Sequence, residues 1–162
     1  MPLKWKIYYL FALLLLAWCA AMAIIIVYTM VAPHWSISNP AVTIPLAALM
    51  LAILSLQAIF GLRFIRHFKN NSVFTDWEKK WSYNINILCI ILSAILCLGV
   101  IFNFGSMLKQ RLPTQIISNI SILMASISAV YLCLTRNALV EEISKQYLGS
   151  VDNIGQDIST NN

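Results

Sequence analysis

Four stretches of this 162-residue chain, residues 7–32, 41–62, 84–108 and 114–135, contain no Asp, Glu, Lys or Arg. Each is 22 to 26 residues long, and roughly 20 residues of helix cross a hydrocarbon core about 30 Å thick. Inside lipid a backbone must satisfy its own amides, which a helix does within one segment. The windows therefore predict an all-α membrane protein: four transmembrane helices in an antiparallel up-down bundle, with spans about 7–32, 41–66, 77–108 and 114–136. Residues 1–148 form one transmembrane domain in this reading, and the polar stretch 149–162 is expected to be a disordered tail.

The rest of the composition agrees. Charged residues make up 10% of the chain and apolar ones 60%, whereas a soluble domain carries about 25% charge. Basic residues, which bring the net charge to +5, flank the windows instead of forming a stripe among exposed aromatics. That placement predicts no direct nucleic-acid binding and makes a bilayer with anionic headgroups the expected partner. Cys19, Cys89, Cys97 and Cys133 all lie within apolar windows, with no CxxC pair, so they read as small apolar residues and not as a redox site.

Arg63 to Asn86 is the long polar segment between two windows, and it holds Arg63, Arg66, Lys69, Lys79 and Lys80 beside Asp76 and Glu78. Asn70-Asn71 is a turn signal. Thr75-Asp76-Trp77-Glu78 matches a capping box, which predicts that the third helix begins near Asp76. Trp77 and Trp81 are four apart and so share a helix face, at interface depth. The predicted headgroup or partner contact is Arg63, Arg66, Lys69, Trp77, Lys79, Lys80 and Trp81.

At the start of the chain, Lys4 and Lys6 precede an apolar run that continues unbroken to Ala32. A cleaved signal has an apolar region of only about 7–15 residues, so this run reads as an uncleaved anchor. Pro33 ends it, Asn39-Pro40 caps the second helix, and Pro45 predicts either a late start or a kink there. In the third window Asn84, Asn86, Ser93 and Asn103 are expected to face other helices. Lys109 to Pro113 reads as a tight turn. Ser118, Ser121, Ala125 and Ser128 repeat at helical spacing as a close-packing seam. A sharper reading makes Asn86, Ser93, Asn103, Ser118, Asn119 and Ser121 a polar intrabundle lining. Beyond Arg136 an amphipathic continuation is expected, with Leu139, Ile143 and Leu148 on one side.

Nine Lys and Arg flank one set of window ends, and Lys109 and Arg111 flank the other. The positive-inside rule then predicts that both termini and the central hairpin are cytoplasmic. The windows hold no ionisable group of the kind a coupled transporter uses. His34 and His67 are predicted on opposite sides, and no clustered ligands, phosphate loop or nucleophile elbow occurs. Arg136-Asn137 followed by Glu141-Glu142 only faintly resembles small four-span enzymes that conjugate glutathione to lipids. The reading is therefore non-enzymatic, with no cofactor and no metal.

The hairpin FIRHFKNNSVFTDWEKKWSYNINIL resembles the central segment of a YoaS-like family of small bacterial membrane proteins, a domain of unknown function. The likeness rests on Asn70, Asn71, Val73, Phe74 and Thr75, and by hydropathy extends over residues 1–148. It implies four spans and the bacterial cytoplasmic (inner) membrane, and it brings no catalytic residues. The tail departs from the family's acidic-polar ending. Two functions follow as expectations: action through protein contacts in a sensor, immunity or accessory role, or a small-molecule carrier or pore.

Overall fold

A computed structural model of the chain describes residues 2–31, 40–70, 72, 74–110 and 113–159. It contains four long helices: α1 (Leu3–Val31), α2 (Pro40–Asn70), α3 (Asp76–Gln110) and α4 (Pro113–Ser159). All four are long and apolar enough to cross a membrane. His34, Asn39, Asn71, Val73 and Arg111 lie outside the described residues, as does the side chain of Asn103.

The local signals account for the helix boundaries. Pro40 opens α2, where its missing N–H costs no helical bond. Pro45 lies inside α2, one turn further on, so the helix does not start late. At α3 the Thr75 hydroxyl accepts the Glu78 amide at 3.3 Å, and the Glu78 carboxylate accepts the Thr75 amide at 3.1 Å. This is the reciprocal capping predicted, and it starts α3 at Asp76. α4 runs on through Ser159, so the stretch after Gly149, read from composition as a disordered tail, is helical that far. No proline follows Pro113 in the sequence to stop it.

α2 touches α1, α3 and α4, whereas α1 and α3 do not meet among the described residues. α2 and α4 thus form the short diagonal of the bundle. The start of α1, the end of α2 and the start of α3 gather around one segment of α4. Trp5 donates its indole N–H to Glu142 at 3.0 Å and stacks obliquely on Phe68, with ring centroids 6.1 Å apart. Lys4 reaches the same carboxylate at 2.6 Å.

Burial is polarised along the bundle. Among the described residues the buried positions run from Trp5 to Cys19 on α1, from Leu54 to Ile65 on α2, from Glu78 to Ser93 on α3 and from Ala125 to Ile143 on α4, with Val100 the outlier. Toward the opposite end, large apolar side chains such as Val31, Val42 and Phe102 stay exposed. The packed half reaches past the charge-free windows, because Leu139 and Ile143 are buried together with Phe74 and Trp5.

Candidate functional site

The polar side chains gather in the packed half, in three layers. Glu78 centres the outermost one. Besides capping α3, it lies 3.6 Å from Arg63 Nη1 and 3.6 Å from His67 Nε2. The other ring nitrogen of His67 shares a hydrogen bond with the Ser72 hydroxyl at 2.7 Å, and Phe74 packs on the imidazole with centroids 4.8 Å apart. One nearly buried carboxylate thereby ties the end of α2 to the start of α3.

Arg136 forms the second layer. It is only 6% exposed, and no carboxylate reaches it among the described residues. Its Nε and Nη2 donate to the Ser82 hydroxyl at 3.2 and 2.6 Å, and Nη2 also donates to the Lys79 carbonyl at 3.0 Å. Nη1 donates to Asn137 Oδ1 at 2.7 Å, while the rings of Phe64 and Tyr83 each lie 5.9 Å from the guanidinium carbon. A buried cation is costly unless its donors are met, and here neutral oxygens and aromatic faces meet them. The sequence places Arg136 at the edge of a window among the flanking charges. The structure adds that this edge position is buried, with α2 and α3 side chains packed around the guanidinium.

The third layer crosses the centre. Gln57 donates to Asn86 Oδ1 at 3.2 Å, and Asn86 donates to the Cys133 carbonyl at 3.4 Å. The Cys133 thiol in turn faces the Asn86 carbonyl at 3.7 Å. Three helices are joined through one amide. Nearby, the Tyr8 hydroxyl is fully buried with no hydrogen-bond partner. Gly61 makes room for it, since a Cβ there would stand 3.3 Å from that oxygen.

Five residues of the predicted lining are described at the side-chain level. Asn86 and Ser93 are buried, Asn119 and Ser121 are half-buried, and Ser118 is exposed. The hydroxyls of Ser121 and Ser128 donate back to the Ser118 and Met124 carbonyls of their own helix. The seam predicted on α4 buries Ala125 and Ser128 only. Asn84, expected to face another helix, is exposed; its neighbours Ile85 and Asn86 take the inward positions.

Of the predicted contact residues, Trp77 and Trp81 are exposed with centroids 5.8 Å apart. Arg63 is paired with Glu78, and Lys79 lies 3.8 Å from Asp76. Arg66, Lys69 and Lys80 have no carboxylate partner among the described residues. Sequence reasoning missed Arg136, Ser82, Gln57 and Tyr8. The available signals were that Gln57 is the one amide inside the second window and that Ser82 precedes Asn86 by one turn.

The cysteines carry no disulfide, and among the described residues no three His, Cys, Asp or Glu gather as metal ligands. Compared with family models, curated proteins and solved structures, the chain matches none of them.

Proposed function

We propose that this chain is a non-enzymatic, multi-pass protein of the bacterial cytoplasmic membrane that acts through protein contacts in a sensor, immunity or accessory role. In this reading the helices form an antiparallel up-down bundle with both termini and the α2–α3 connection in the cytoplasm. The likeness of the hairpin to YoaS-like proteins belongs to the same proposal.

One observation carries it. The Trp77–Trp81 pair stands exposed, at 59% and 49%, on a helix start that Thr75, Glu78, Arg63 and His67 hold in place. A rigid frame presenting large aromatic side chains loses little entropy when a partner covers them. The carrier reading has weaker support, because Gln57, Asn86 and Cys133 bond one another across the centre instead of lining a space.

A photoreactive side chain at position 81 tests the proposal, with position 98 as a membrane-facing control. In native membranes, position 81 should give a discrete protein adduct that Trp77→Ala diminishes, and position 98 should give lipid adducts. Lipid adducts alone at both positions would reduce the indoles to an interface belt and end the reading. Tags at both ends should be reachable only from the cytoplasm.

A further inference from the structure

Two clefts open between α1 and α2. One, of about 300 Å³, is lined by Tyr9, Leu62, Ile65, Arg66 and Lys69. The other, of about 460 Å³, runs between Leu16, Ala20 and Ala23 of α1 and Ala48, Ala52 and Ser55 of α2. They lie on one stripe. Along α1, Tyr9, Leu16, Ala20 and Ala23 follow each other at steps of seven, four and three. Along α2, Ala48, Ala52, Ser55, Leu62, Arg66 and Lys69 do the same, and residues so spaced share a helix face. From Tyr9 to Ala20 is eleven residues, roughly 17 Å of helix, close to one leaflet's share of a core about 30 Å thick.

Charge separates the two clefts. Lys4, Arg63, Lys79 and Lys145 each have a carboxylate within 4.0 Å. Arg66 and Lys69 have none among the described residues, although both line the smaller cleft. Exposed Tyr9 adds a phenol at their level, and Lys6 precedes it by one turn on α1. Below this polar mouth the groove is apolar apart from Ser55, and its alanines leave open the width that larger side chains would fill.

We propose that the α1–α2 face is a binding site for one anionic phospholipid. Arg66 and Lys69 hold the phosphate, with Tyr9 donating to it, and one acyl chain lies along Leu62, Leu16, Ala20 and Ala52. The two cations are three residues apart on one helix, so both reach a single headgroup. Neutral phospholipids offer no net charge to the unpaired cations, and a free phosphate leaves the groove empty. The proposal rests on the membrane reading of the chain and is independent of any protein partner at the tryptophans.

Native mass spectrometry of the full chain in detergent tests it, using dioleoyl phosphatidylglycerol, dioleoyl phosphatidylcholine and glycerol phosphate as probes. The anionic lipid should be retained selectively, and glycerol phosphate should not compete. R66Q/K69Q should weaken retention of the anionic lipid roughly 10- to 30-fold, while Lys145→Gln, at an exposed cation paired with Glu141, leaves it unchanged. Ala20→Leu with Ala52→Leu should also reduce retention, with both cations still present. Circular dichroism and size exclusion should show each variant folded, since every position changed is exposed.

Equal retention of both lipids, or no effect of R66Q/K69Q, would overturn the site. Competition by glycerol phosphate would replace the lipid with a free anion. A chain that stays monodisperse without detergent would instead overturn the membrane reading itself, so the two failures are distinguishable.

Discussion

The Arg136 guanidinium places two nitrogens on a single hydroxyl, Nη2 at 2.6 Å and Nε at 3.2 Å from Ser82 Oγ. That hydroxyl donates onward to the Lys79 carbonyl at 3.0 Å. A planar fork, one oxygen and one carbonyl thus close a ring between α3 and α4. Arg136→Lys should destabilise the bundle by about 2 kcal/mol, because an ammonium cannot reproduce the fork and leaves buried acceptors unmet. Ser82→Ala should cost a similar amount. Thermal unfolding in detergent measures both, and the double variant should lose less than the sum if the pair acts as one unit.

At the start of α3, Thr75→Ala should cost about 1 kcal/mol and Thr75→Ser very little, since only the hydroxyl is needed for the cap. Glu78→Gln should cost more than its share of the cap, because the same carboxylate also faces Arg63 and His67 at 3.6 Å. Amide exchange over residues 76–80 should accelerate in both Thr75→Ala and Glu78→Gln.

Tyr8 supplies a prediction of opposite sign. Its hydroxyl is buried without a partner, so Tyr8→Phe should stabilise the bundle, by about 1 kcal/mol, through relief of an unmet polar group. Gly61→Val should destabilise by about 1–3 kcal/mol by crowding that ring, whose Cε1 and hydroxyl both stand 3.3 Å from the new Cβ position. Part of that loss should disappear in the Tyr8→Phe background.

Asn86→Leu removes both the acceptor for Gln57 and the donor to the Cys133 carbonyl. A loss of about 1–2 kcal/mol is expected in detergent. Gln57→Leu in the same chain should recover part of it, because two apolar partners leave no amide stranded.

These predictions divide by what the sequence made legible. The Thr75–Glu78 cap is a local device four residues long, and its pattern is readable without any tertiary contact. The helix spans were equally plain, because the absence of charge from a window of 22 residues or more has one cheap explanation in lipid. The burial of Arg136 was not legible because it depends on Phe64, Tyr83 and Ser82 from two other helices. Its immediate surroundings in sequence resemble any charged flank. Asn84 and Asn86 are two residues apart, and composition alone does not say which one turns inward. The groove holding Arg66 and Lys69 combines halves from two helices, so neither half was legible alone.

The polarised packing has a consequence for how the chain tolerates change. Truncating Leu54 or Leu132, each no more than 1% exposed, opens a void and should cost about 2–5 kcal/mol. Swapping Val42 or Phe102 for another greasy residue touches only surrounding solvent, so a saturation survey should come out two-toned. One half would be intolerant position by position, and the other would ask of each residue only that it remain oily.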